Sequence, residues 1–144
     1  ARRMGATTVA ITANPDSELA RAVDLAIAPL TGPEVIAGST RLKAGTAQKL
    51  VLNMLTTAAF IRMGYVFGNL MVNVQATNEK LLDRARRIVS QAAGVGLQTA
   101  ADLLAASGNS VPVAIVMAKA GLTRQEAERR LAAAGGRVAH ALKG

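Results

Sequence analysis

A chain of 144 residues and 14.8 kDa, 51% of them apolar, is large enough to bury a core in one or two compact units. Its 17 Lys and Arg against nine Asp and Glu give a formal charge of +8 spread along the chain, while two Phe and one Tyr are too few for a base-stacking surface, so nucleic acid is not the expected partner. The absence of cysteine excludes disulfides, thiol catalysis and thiolate zinc sites, and one histidine builds no histidine cluster, so no metal site is expected.

In chain order, Ala1-Arg2-Arg3-Met4-Gly5 reads as the last turn of a helix with its glycine stop, which predicts a piece of a longer polypeptide. Thr7 to Ala13 has the β-branched density of a buried strand, Asn14-Pro15-Asp16-Ser17 is turn chemistry able to cap a short helix over Glu18 to Val23, and Asp24 to Ala28 reads as a second strand. Strand, helix and strand with brief links predict a βαβ unit, whose carboxyl edge is the usual place for a ligand. Leu30 to Thr40 reads as loop. From Arg41 to about Met63 the pattern is helical, with a broad apolar face of Leu50, Met54, Leu55, Ala58 and Ile61 expected to back onto the sheet. Its strongly apolar run, Leu50 to Ile61, falls short of the about 20 residues that cross a bilayer, and no charged leader opens the chain, so a cytoplasmic protein without a membrane partner is expected.

Gly64 ends that helix, and Leu70 to Val74 reads as a third strand after a Gly68-Asn69 turn. Beyond Thr77 the chain becomes Ala- and Arg-rich helices, predicted over Asn78–Ala93, Leu97–Ala106, Val111–Lys119, Thr123–Ala134 and Val138–Leu142, and a boundary is placed near Ala76. Ala100 to Ile115 repeats as Ala127 to Leu142 at an offset of 27, with Leu104, Gly108, Val111 and Ala114 matching Leu131, Gly135, Val138 and Ala141. Met54, Met63 and Met71 are expected to fill core gaps. His140 is expected to be a packing or surface residue, and Arg84, Arg86 and Arg87 a solvated helix face with Asp83 at ion-pair spacing.

The informative stretch runs from Gly32 to Lys49. Ser39 and Thr40 follow a glycine at a helix start and precede Arg41 and Lys43, so free N–H groups, a positive helix end and two cations converge where one phosphate could sit. The same residues read equally as an ordinary N-cap with two solvated cations, and spacing does not choose between them.

This stretch closely resembles the signature segment shared by bacterial N-acetylmuramic acid 6-phosphate etherases and the vertebrate glucokinase regulatory protein. The resemblance continues through Val51 to Leu55, Gly68 to Val74, Ala76 to Asn78, Arg84 to Val89 and Gly121 to Leu142, essentially the whole chain. It implies an α/β fold: residues 1–76 as the second half of a parallel-sheet sugar isomerase (SIS) domain, and residues 77–144 as a small ubiquitin-associated-type helical domain. The implied reaction removes D-lactate from N-acetylmuramic acid 6-phosphate to give N-acetylglucosamine 6-phosphate, without metal or organic cofactor, in a homodimer. Ser39, Thr40, Arg41 and Lys43 are implied binders of the phosphorylated amino sugar, and Glu34 in the same segment touches a sugar hydroxyl or orients the loop, or equally is a plain loop carboxylate paired with Arg41 or Lys43. No catalytic residue is assigned, because the family's acid and base glutamates lie upstream of the matching segment. The alternatives are a non-catalytic sugar phosphate sensor of the regulatory-protein type, which would use the same loop, and, from charge alone, a nucleic-acid binder.

Overall fold

The structure is a computed structural model and describes residues 1–143. It is α/β, mostly helical, and divides into two compact units, Ala1–Ala58 and Ala59–Gly144.

The first unit opens on a 3-10 turn, Arg2–Met4, closed by a left-handed Gly5. Strand β1, Val9–Ile11, is followed by the short helix α1, Glu18–Arg21, and strand β2, Leu25–Ile27. Ser17 caps α1 by accepting a hydrogen bond from the Ala20 N–H at 3.2 Å. β1 and β2 pair in parallel, Val9 opposite Leu25 and Ile11 opposite Ile27, which is the predicted βαβ arrangement in miniature. Asp24 secures the start of this pair: its carboxylate accepts from Arg2 Nε at 2.8 Å, from the Thr8 N–H at 2.8 Å and from the Thr8 hydroxyl at 2.7 Å. These donors, Arg2 foremost, hold the Asp24 carboxyl well below the usual carboxylate range.

Helix α2 spans Ala44–Arg62, three residues shorter at its start than its apolar pattern predicts, because Thr40 to Lys43 form a turn instead. No residue of α2 is buried. The expected packing of its apolar face on the sheet is not made, since two strands of three residues each offer too little surface to cover it. Met54 is accordingly 62% exposed, and Met63 and Met71 are also exposed, so none of these methionines fills a core gap.

Two-residue strands β3, Val66–Phe67, and β4, Leu70–Met71, form an antiparallel hairpin. The predicted third strand is therefore not part of the parallel sheet. Gly68 and Asn69 are the two-residue loop between paired strands, with Gly68 at φ +60° at the first loop position, a turn that sends the chain back on itself. Val72 donates its N–H to the Tyr65 carbonyl at 2.8 Å and is fully buried, so the hairpin joins the helical core. Packing thus divides the chain at Ala58, ahead of the hairpin, whereas sequence character changes near Ala76.

The helices of the second unit follow the predicted spans closely: α3 Glu79–Ala93, α4 Leu97–Ala106, α5 Val111–Ala120, α6 Arg124–Ala133 and α7 Val138–Ala141. Their limits have local causes. Asn78 caps α3 by accepting from the Leu81 N–H at 2.9 Å, and Thr123 and Glu126 form a reciprocal capping box on α6. Asp83 pairs with Arg87 at 2.8 Å, which accounts for one of the three clustered arginines. The repeat is structural. Ala100, Leu104, Val111 and Ala114 in one copy, and Ala127, Leu131, Val138 and Ala141 in the other, are all buried in one cluster with α3. Each first helix ends in two successive left-handed residues, Gly108 and Asn109, then Gly135 and Gly136. In both copies the second of these donates its N–H to the buried leucine's carbonyl, Asn109 to Leu104 at 2.9 Å and Gly136 to Leu131 at 2.8 Å.

Gly64 has no room for a side chain on the Arg137 side. It sits at φ +83°, and a Cβ built on it would lie 2.7 Å from Arg137 Cγ and 3.2 Å from Arg137 Cα. Gly64→Ala is expected to lower stability by about 1–3 kcal/mol, since it combines left-handed strain with a clash against the Arg137 stem and a tight approach to its Cα. A thermal unfolding midpoint equal to that of the parent chain would show that the Arg137 segment yields at no cost.

Candidate functional site

The loop singled out in the sequence folds against the carboxyl edge of β1 and β2. A cleft of about 240 Å³ opens there, lined by Thr12 and Ala13 after β1, Pro29 after β2, and Thr40, Gly45 and Gln48. A second hollow, lined by Thr31, Gly32, Glu34 and again Ala13, Thr40 and Ala44, lies beside it. This is the edge at which α/β sheets usually present their ligand loops.

Glu34 determines the local geometry. Its carboxylate straddles the start of α2, Oε2 accepting from the Lys43 N–H and Oε1 from the Ala44 N–H, both at 3.0 Å. The next amide, Gly45 N–H, donates to the Thr40 carbonyl at 3.0 Å. Three amides at this helix end are therefore already satisfied from within the loop. Gly45 eases that closure, because a Cβ there would stand a tight 3.2 Å from the Thr40 carbonyl oxygen. The two amide donors, that of Ala44 first, pull the Glu34 carboxyl below its ordinary value.

The sequence-predicted residues are thus only partly brought together. Thr40 lines both hollows and Glu34 lines one, whereas Ser39, Arg41 and Lys43 line neither. Ser39 is half-buried and donates its N–H to the Ile36 carbonyl at 3.0 Å. Arg41 and Lys43 are exposed, and neither forms an ion pair among the described residues. Glu34 does not pair with either side chain, as the sequence allowed, but with main-chain amides nine and ten residues away. The picture of several free N–H groups waiting for an anion is corrected accordingly, since Glu34 already occupies that position. Thr12 and Gln48 were missed by sequence reasoning. Thr12 lies near the end of the predicted strand, just after β1, and Gln48 lies one helical turn beyond Ala44, so both were within reach of positional reasoning.

Comparison with curated proteins fixes the relationship. An N-acetylmuramic acid 6-phosphate etherase of Alkaliphilus metalliredigens is 56% identical over 143 residues, covering 99% of this chain and 47% of that protein. Etherases of the same name from Mycolicibacterium smegmatis and Symbiobacterium thermophilum are 54% and 62% identical, covering 99% and 85% of the chain. The chain belongs to the N-acetylmuramic acid 6-phosphate etherase family. It spans about half the length of the curated relatives it matches, corresponding to their C-terminal part. No family model matches it. In this etherase segment the matched residues include the whole Gly32 to Lys49 loop, since the alignment with the Alkaliphilus relative leaves out only one residue of the chain.

Glu34→Ala is expected to speed hydrogen exchange at the Lys43 and Ala44 amides and to lower the thermal midpoint, and Glu34→Gln to do so less, because one acceptor oxygen remains. The pH dependence follows from the lowered value: the contribution is complete above the unfolded carboxyl's about 4.5 and is lost as pH falls through the lower folded value. Exchange at these two amides that is indifferent to the substitution would show that Glu34 does not hold the loop.

Proposed function

We propose that this chain supplies the sugar phosphate-binding half of an etherase that removes the D-lactyl ether of N-acetylmuramic acid 6-phosphate, giving N-acetylglucosamine 6-phosphate and D-lactate in cell-wall sugar recycling. The observation that carries this reading is the 56% identity across 143 residues to a relative of that name, over a loop held at the carboxyl edge of a parallel strand pair. In this reading Ala1 to about Ala76 belong to a SIS-type sugar isomerase domain, and the repeated helices beyond form a ubiquitin-associated-type domain.

The reaction needs a base to take the proton beside the open-chain carbonyl and an acid to protonate the departing lactate oxygen. We assign neither to this chain; both belong to the half of the relatives that it does not match. What it contributes is binding. With the first amides of α2 already taken by Glu34 and Thr40, the phosphate is met by side chains: the Ser39 and Thr40 hydroxyls and the Arg41 and Lys43 cations. Glu34 acts as the positioning residue that sets where those four side chains leave the backbone.

The uncovered apolar face of α2, with Leu50 52%, Phe60 47% and Ile61 55% exposed, supports a reading in which more protein covers it, from the rest of an etherase and from the second subunit of a homodimer. No helix among the described residues is long and apolar enough to cross a membrane, in keeping with a cytoplasmic location.

A chimera in which this chain replaces the matching part of the Alkaliphilus relative tests the proposal. It is expected to release D-lactate from N-acetylmuramic acid 6-phosphate. Arg41→Ala and Lys43→Ala within it should each weaken binding of the phosphorylated sugar about tenfold or more, as charge-assisted hydrogen bonds of roughly 1.5–3 kcal/mol require. A folded chimera without lactate release, or equal weakening for the unphosphorylated sugar, would count against the assignment.

A further inference from the structure

The second unit carries most of the chain's positive charge, with eleven Lys and Arg against five Asp and Glu between Ala59 and Gly144. Four of those five acids are already engaged. Asp83 pairs with Arg87, Glu128 pairs with Arg124, Glu126 serves the capping box, and Asp102 accepts from the Gln98 side-chain amide at 3.2 Å. The cations left over are not evenly placed. Arg62, Arg137 and His140 line one cleft of about 290 Å³ between the end of α2, Gly64 and α7, with no carboxylate in its wall among the described residues. His140 also lines the neighbouring hollow, where Arg130 stands. None of Arg62, Arg130 and Arg137 forms an ion pair among the described residues.

The cleft is also partly preorganised. The stem of Arg137 lies against Gly64, whose missing Cβ would come within 2.7 Å of Arg137 Cγ, so the base of this arginine is held in the wall of the cleft. Two guanidinium forks and one imidazole around a concave surface are the donor set that recognises a phosphate dianion, since several charge-assisted hydrogen bonds can converge on its oxygens. Solvated surface arginines are common, but they ordinarily lie near carboxylates or on a convex helix face. Two guanidinium cations sharing one hollow, with four of the unit's five acids committed elsewhere, repel one another until an anion sits between them.

We propose that the cleft lined by Arg62, Arg137 and His140 is a binding site for a phosphate-bearing small molecule, with Arg130 at its margin. The reading does not depend on the etherase activity, because it rests on residues of the second unit alone. It gives His140, which no part of the proposed reaction uses, a role as hydrogen-bond donor to the ligand.

His140 is the only histidine of the chain, so its ring resonances report on this site alone. Titration of the 144-residue chain with inorganic phosphate, at constant ionic strength held by chloride, is expected to move those resonances along a saturable curve. Arg62→Gln, which alters an exposed side chain, and Arg137→Lys, which keeps the stem over Gly64, should each weaken the apparent affinity about fivefold or more while leaving the thermal midpoint near that of the parent. Glucose should produce no shift, and glucose 6-phosphate should compete with inorganic phosphate. A shift that never saturates, or that both variants leave unchanged, would overturn the proposal. So would a short oligonucleotide that displaces phosphate at far lower concentration and with a steep salt dependence, since that pattern belongs to a nucleic-acid surface.

Discussion

Between Ala1 and Ala58 a single residue, Ala10, is buried, so the first unit is held in shape by hydrogen-bonded carboxylates and a strand pair rather than by a core. Asp24 fastens the N-terminal turn to the start of β1 and β2, and Glu34 fastens the loop to the start of α2. The two act alike. Each carboxylate satisfies amides that the local fold leaves free, and each is pulled towards its charged form by doing so. The site at the carboxyl edge of the strands inherits its geometry from the second of these clamps. Ser39 to Lys43 take their places because Lys43 and Ala44 are tied to Glu34, which has a cost: the helix end is no longer open to an external anion through those amides.

The second unit solves the same stability problem differently. Duplication of a helix, a left-handed corner and a shorter helix places matching small and branched residues, Ala100 with Ala127 and Val111 with Val138, into one shared cluster. The copies have diverged where the corner is locked. In the first, the buried Ser107 hydroxyl donates to the Leu104 and Ser110 carbonyls at 2.8 and 2.9 Å. In the second, Ala134 stands at the equivalent position, and the corner is made by Gly135 and Gly136 alone. A functional difference has followed the same divergence: buried Val113 in one copy corresponds to exposed His140 in the other, which turns a packing position into one facing a cleft.

The helices of the second unit were legible in the sequence because every local signal agreed. Asn78, Thr123 with Glu126, Gly94 and Gly121 mark starts and stops within a residue or two of those observed, and the repeat showed which faces are apolar. The βαβ unit was legible for the same reason. The hairpin was not, since Gly68-Asn69 can precede a strand or join two, and that choice is made by Val72 packing into the helical core. The exposure of Met54, Met63 and Met71 was equally hidden, because an apolar face declares that it wants a partner and not whether one is present. At the site, the loop and its residue types were readable, but the Glu34 clamp was not. It links a side chain to main-chain amides across a turn, and nothing in residue spacing records where a backbone N–H points.

In the proposed site the Ser39 to Lys43 loop meets the phosphate with side chains while Glu34 keeps the amides of α2. Amide chemical-shift mapping of the folded chimera with N-acetylmuramic acid 6-phosphate tests this most directly. Perturbations are expected at Thr12 and at Ser39 to Lys43, with the Lys43 and Ala44 amides still protected against exchange. Ligand-dependent loss of that protection, or shifts that bypass Ser39 to Lys43, would contradict it.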